Sequence, residues 1–173
     1  NLVIPGSVTS IGAFAFCGFD TLESITIPDS VTSIADYAFN SCAELISVNG
    51  AVNIREIGNA AFAYCPKLIY MPVTSNLTSI GSAAFINCPK ISLSSSPVNV
   101  RTVGANAFNG CKNLIFSLNI RNATSIGAGA FSNCTNIASV DISSASTIGS
   151  SAFYGCRNMT QVSLCSDLTR IED

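Results

Sequence analysis

One dipeptide, Ala-Phe, recurs along the chain on a nearly constant grid. Successive phenylalanines of the grid are 23 residues apart five times and then 22 apart, and an alanine precedes every one of them. An isoleucine or valine stands five residues before each phenylalanine, and a leucine, isoleucine or methionine six residues after it. A fixed period of roughly 20 to 50 residues is the sequence signature of a stacked repeat architecture. The anchors of the seven units are Phe16, Phe39, Phe62, Phe85, Phe108, Phe131 and Phe153.

Each unit is too small to bury its own apolar residues. The segment L-x-x-I-x-I is short and β-branched, which predicts one strand per unit. The segment A-F-x-x-C-x-x-L has apolar residues three apart, which predicts a turn of α- or 3₁₀-helix with one buried face. Stacked units would share one continuous core and pair their strands in a parallel sheet.

The combined pattern I-x-x-x-A-F-x-x-C-x-x-L-x-x-I-x-I-P resembles the BspA-like class of leucine-rich repeats, the 23-residue Treponema pallidum type. The resemblance covers essentially the whole chain. It implies an α/β repeat solenoid, a leucine-rich-repeat horseshoe with one short parallel strand on its concave side and a short helical or 3₁₀ segment in each unit. It also implies a cell-surface or secreted protein of a bacterium or protist that takes part in adhesion.

The repeats define a single array over residues 1–173, with about seven units. Both ends cut through a unit, since residues 2–5 match the strand end at 25–28 and residues 171–173 begin an eighth copy. The repeat pattern therefore predicts a fragment of a longer chain, or an array whose ends stack on one another.

Composition argues against several classes of function. The net charge of −2 provides no basic surface for nucleic acid, and no run approaches the roughly 18 apolar residues of a membrane span. The chain has no histidine, so Ser-His and Cys-His nucleophile pairs cannot form and the commonest metal ligand is missing. We therefore expect a protein that is not an enzyme, inserts into no membrane and uses no cofactor or metal.

The cysteines raise a separate question. Six of the eight share one column, three residues after the anchor phenylalanine, and Phe19 takes that position in the first unit. A column that accepts phenylalanine indicates burial, and free cysteine behaves as a small apolar residue. Disulfides between stacked units, or a metal, remain the alternative. The column comprises Cys42, Cys65, Cys88, Cys111, Cys134 and Cys156, whereas Cys17 and Cys165 lie outside it.

Variable positions on the predicted strands are the candidate binding residues. Apolar side chains at outward positions would form a stripe down the concave face, and exposed apolar patches often mark partner sites. The alternative is that register slips turn some of them inward. In the fifth unit a one-residue slip would place Ile115, Leu118 and Ile120 at the strand positions, and in the fourth Leu93 is off-phase. The candidates are Ile46, Ile69, Tyr70 and Phe116, with Glu23 and Asp141 as charged neighbours.

These observations favour a non-enzymatic binding or adhesion module that presents a rigid concave surface to a protein or peptide ligand, such as a host or extracellular-matrix protein. The alternative is a structural protein whose units associate end to end into fibres or a surface layer.

Overall fold

A computed structural model describes residues 1–93, 95–114 and 117–173. In these residues the chain forms a parallel β-solenoid of about seven turns. Each complete turn contributes one strand to a front face and one two-residue strand to a side face. The front strands are β1 (Leu2–Val3), β2 (Ser24–Ile27), β4 (Ser47–Gly50), β6 (Tyr70–Met71), β8 (Ser92–Leu93), β10 (Ser117–Asn119), β12 (Ser139–Ile142) and β14 (Gln161–Leu164). The side strands are β3 (Ser33–Ile34), β5 (Glu56–Ile57), β7 (Ser79–Ile80), β9 (Thr102–Val103), β11 (Ser125–Ile126), β13 (Thr147–Ile148) and β15 (Arg170–Ile171).

All pairing between these strands is parallel and joins neighbouring turns. The front strands form a five-stranded sheet, β1-β2-β4-β6-β8, and a three-stranded sheet, β10-β12-β14. The side strands form one seven-stranded sheet, from β15 to β3. The parallel front strand of each unit was predicted from the sequence, whereas the side strand is an addition. The side strand forms where a buried isoleucine follows a residue that faces outward, as in Ser33–Ile34 and Ser79–Ile80. Such alternation between buried and outward-facing side chains is typical of a strand.

The predicted helical segment is wrong, because the described residues contain no helix. Two residues in every unit, two before and two after the anchor phenylalanine, have positive φ, which an α-helix does not allow. In the third unit they are Ala60 (φ 50) and Tyr64 (φ 58). The N–H of Phe62 between them donates to the carbonyl of Ala84 in the next turn, at 2.8 Å, rather than to its own segment. The apolar spacing of three reflects consecutive tight turns and not a helix.

The anchor phenylalanines form a continuous stack through the core. Neighbouring rings are nearly parallel, with centroid separations of 5.0 to 5.5 Å. The five inner rings are fully buried, and the isoleucines of both sheets surround them. The unit that could not bury its own apolar face therefore does so against its neighbours, as the repeat pattern predicts.

Register slips occur on the front face of the fourth and fifth units. Leu93 is one residue out of phase with the repeat, as its position predicts, because it pairs with Met71 at a spacing of 22 residues. The strand shifts by that one residue and brings the side chain of Leu93 into the core. The slip predicted for the fifth unit is confirmed for Leu118 and Ile120, which are both buried. Its third member, Ile115, lies outside the described residues.

Candidate binding surface

The cysteine column belongs to the core and not to a reactive site. Each of the six thiols donates a hydrogen bond to the carbonyl of the anchor phenylalanine one turn back, for example from Cys134 Sγ to the oxygen of Phe108 at 3.0 Å. Burial is the main cause that raises the pKa of Cys111 and of Cys134. Because the thiolate is the reactive form, a buried neutral thiol is a poor nucleophile and a poor metal ligand. Among the residues that the structure describes, no three His, Cys, Asp or Glu side chains are grouped as a metal would require.

We expect the thiols to separate into two classes in a titration with Ellman's reagent at pH 8. Cys17 is exposed and Cys165 is half-buried, so these two should react within minutes, whereas the six buried thiols should react only after guanidinium unfolds the chain. Replacing Cys17 and Cys165 by serine should abolish the fast phase. If fewer than six thiols react in the slow phase, after unfolding without reducing agent, the column forms disulfides.

Three apolar side chains lie exposed together on the front face, and we call them, with Glu23, the apolar strip. Ile46, Ile69 and Tyr70 are 42%, 49% and 43% exposed. The N–H of Ile69 donates to the carbonyl of Ile46 at 2.8 Å, so the two isoleucines stand on consecutive turns. Tyr70 follows Ile69 directly and pairs with Ser47 of β4. The inward register that was the alternative interpretation therefore does not apply to these residues.

Glu23 extends the strip by one turn. Its carbonyl accepts a hydrogen bond from the N–H of Ile46 at 2.8 Å, and its side chain is exposed. The strip thus carries one carboxylate at one end and an aromatic hydroxyl at the other. Its main chain is fixed by the parallel ladder, so these side chains are held on a rigid surface before any partner arrives.

Of the remaining two predicted site residues, Asp141 is not part of the strip. Asp141 lies in β12, in the other front sheet, is only half-buried, and its carboxylate accepts a hydrogen bond from the N–H of Ser143 at 3.1 Å. The surface around it is polar, with Asn119 and Ser163 as its partners in the ladder. Phe116 lies outside the described residues. The structure therefore brings together four of the six candidates.

Sequence reasoning missed a polar groove beside the side sheet. Its lining alternates arginine and threonine in one column and carries asparagines in another. The signal that could have identified it is the presence of Arg55 and Arg101 two units apart in a column otherwise made of Thr and Ser.

The chain is thus a repeat protein with a parallel β-solenoid fold and an exposed, preformed surface. The sequence profile of the BspA type leucine rich repeat region matches residues 1–115 and 82–173, with six copies. The protein belongs to this family, as its repeat pattern predicts. Leucine-rich repeats are generally non-catalytic and typically bind proteins. No helix in the described residues is long and apolar enough to cross a membrane.

Solved structures of bacterial leucine-rich repeat proteins share the fold. The Treponema pallidum leucine rich repeat protein TpLRR is 26% identical with a TM-score of 0.76, and the match covers 87% of this chain and 73% of that one. A leucine-rich repeat protein of Bacteroides ovatus is 23% identical with a TM-score of 0.64, and the match covers 99% of this chain and 62% of that one. One from Eubacterium ventriosum is 23% identical with a TM-score of 0.71, and 89% of this chain matches 42% of it. The chain therefore spans less than two thirds of two of these proteins. Among curated proteins, none matches this chain.

Proposed function

We propose that this chain is the protein-binding part of a cell-surface or secreted protein, and that the apolar strip is where a protein partner binds. The observation that carries the proposal is the exposure of Ile46, Ile69 and Tyr70 on consecutive turns, where the front strands begin. Placement at the cell surface, and a host or extracellular-matrix protein as the partner, rest on membership of the BspA-type family.

The composition of the strip suits a protein contact better than a small-molecule site. Its side chains stand exposed where the front strands begin, and protein interfaces are enriched in aromatic residues such as Tyr70. Tyrosine can bury its ring against a partner while its hydroxyl remains hydrogen-bonded. The carboxylate of Glu23 at one end would favour a partner that places a basic group there.

Replacing Tyr70 by serine is expected to weaken binding to the protein partner at least about 30-fold, the effect of losing an interface anchor worth about 2 kcal/mol. The partner is first identified by biolayer interferometry against purified extracellular-matrix and host-surface proteins. The variants Tyr70→Ser and Ile69→Ser are then compared with wild type as full concentration series.

The matched control is Tyr154→Ser, because Tyr154 is also an exposed tyrosine (69%) but lies in a turn of the seventh unit, outside the strip. Binding to the panel that survives Tyr70→Ser and Ile69→Ser unchanged, or that is weakened equally by Tyr154→Ser, would refute the strip as the binding site. Light scattering of the wild-type chain between low and high concentration shows in the same samples whether end-to-end association, the alternative function, occurs.

A further inference from the structure

A second surface, separate from the apolar strip, has the chemistry of a ligand site. It is an open groove of about 550 Å³ beside the side sheet, and we call it the arginine–asparagine groove. Arg55, Thr78 and Arg101 form one wall, each just before a side strand. The residues of the other wall are Asn76, Asn99 and Asn122. None of these residues belongs to the apolar strip.

The two arginines of the groove have no carboxylate partner in the described residues. The ion pairs there join Lys67 to Glu44 and Arg170 to Glu172. Glu56 follows Arg55 in sequence but lines a different cleft, with Asp36. No acidic residue lines the described part of the groove, so it concentrates two positive charges in a chain whose net charge is −2.

The spacing of the arginines is fixed by the main chain. The N–H of Thr78 donates to the carbonyl of Arg55, and the N–H of Arg101 donates to the carbonyl of Thr78, both at 2.8 Å. The arginines therefore stand two rungs apart, which is about 10 Å in a parallel sheet. A guanidinium binds a carboxylate or a sulfate with two parallel hydrogen bonds, so the pair suits a ligand that carries anionic groups at this separation.

The asparagines beside the arginines present acceptors. Their amide nitrogens are used within the protein: Asn122 Nδ2 donates to Asn99 Oδ1 at 3.2 Å, and Asn76 Nδ2 donates to the carbonyl of Val52 at 3.0 Å. These bonds fix the amides and leave the Oδ1 atoms of Asn76 and Asn122 to accept. The hydroxyl of Thr78 donates to the carbonyl of Arg55 at 3.0 Å, so its oxygen also acts toward the groove as an acceptor.

We propose that the arginine–asparagine groove binds an acidic polysaccharide, with its carboxylate or sulfate groups on Arg55 and Arg101 and its hydroxyl groups donating to the oxygens of the asparagines beside them. Alternate sugars of such a polymer place anionic groups about as far apart as the two arginines. A neutral polysaccharide lacks the anions, and a polymer of acidic amino acids lacks the hydroxyl donors.

The test is titration calorimetry with four probes: a heparin oligosaccharide for sulfate, an oligogalacturonate for carboxylate, neutral dextran, and polyglutamate. The 173-residue chain is produced in a bacterial host, because Asn76 and Asn122 stand in N-x-T sequences that a eukaryotic secretory pathway could glycosylate. We expect binding to at least one acidic oligosaccharide, weakened by salt, and none to dextran. Because heparin carries carboxylates as well as sulfates, binding of heparin alone would assign the recognition to sulfate, whereas binding of the oligogalacturonate would show that carboxylates are sufficient.

The double variant Arg55→Gln/Arg101→Gln should lose at least tenfold in affinity for the oligosaccharide. Asn122→Asp, which places a negative charge in the groove one turn beyond Arg101, should lose a similar factor. The matched controls are Arg157→Gln, an exposed arginine of the seventh unit, and Asn136→Asp, whose amide bonds to Asn113 in a similar pair elsewhere. Unchanged melting temperatures show that the variants fold.

Three outcomes would overturn the proposal. They are wild-type affinity in the double variant, absence of binding to both acidic oligosaccharides, and binding of polyglutamate as tight as that of the better oligosaccharide. The last result would indicate an acidic protein as the ligand instead.

Discussion

Replacing Phe85 by alanine is expected to lower the free energy of unfolding by about 3 to 5 kcal/mol. Its ring is 1% exposed and lies between those of Phe62 and Phe108, at centroid separations of 5.4 and 5.2 Å. The main chain on both sides is held by bonds between turns, since the N–H of Phe85 donates to Ala107 at 2.7 Å and that of Phe62 donates to Ala84 at 2.8 Å. The turns therefore cannot close the space, and a cavity adds to the lost burial.

Urea unfolding followed by circular dichroism measures this loss, and Phe14→Ala is the matched control. Phe14 also stacks on an aromatic ring, that of Tyr37 at 4.8 Å, but it is 60% exposed. We expect its removal to cost no more than about 1 kcal/mol, the range of an aromatic pair without full burial. Equal costs for Phe85→Ala and Phe14→Ala would show that ring stacking, and not burial, stabilises the column. The m value must also be compared, because a repeat array can unfold in parts.

The columns of the core could be predicted from the sequence because burial recurs with the repeat. Six units place cysteine three residues after the anchor and all six thiols are buried, so the core role of Cys134 follows from its position. The inference of burial from Phe19 in the first unit was wrong, because that side chain is 42% exposed. The helical segment was predicted wrongly because an apolar spacing of three fits both a helix and consecutive turns. Ala60 and Ala83 are ordinary helix formers, yet both have positive φ, since hydrogen bonds to the next turn determine the backbone there.

The candidate surfaces were predictable only in part, for related reasons. Exposure of Ile46 and Ile69 follows from their place just before the front strands. The separation of Asp141 from them does not, because it depends on register slips in units where polar residues occupy strand positions. The arginine–asparagine groove depends on Arg55 and Arg101, which are 46 residues apart in the sequence. They line one groove only because three turns are stacked.

The second large effect concerns close approach of main chain between turns. Replacing Gly104 by alanine is expected to destabilise the chain by about 1 to 3 kcal/mol, because an added Cβ would lie 2.4 Å from the nitrogen of Ser82 and 2.5 Å from the carbonyl carbon of Gly81. Both neighbours are main-chain atoms, so no side chain can move aside. The N–H of Gly104 is bonded to Ile80 at 2.8 Å, which keeps the two turns together. The measurement is again the midpoint and slope of urea unfolding.

Gly12→Ala is the control that separates this contact from the general effect of removing a glycine. Gly12 occupies the same column, but nothing lies within 4 Å of its added Cβ, so its substitution should change stability by no more than about 1 kcal/mol, in either direction. Ala35 already stands in this column. The turn before it is that of Gly12, and among the described residues no turn pairs with the turn of Gly12 on its other side. If Gly104→Ala proved as mild as Gly12→Ala, inner turns would be able to move apart far enough to admit a methyl group. The solenoid would then be less rigid than its hydrogen bonds imply. A large difference would instead show that glycine is required wherever the preceding turn is itself held on its far side, which is not the case for Ala35 but is the case for the glycines of the later units.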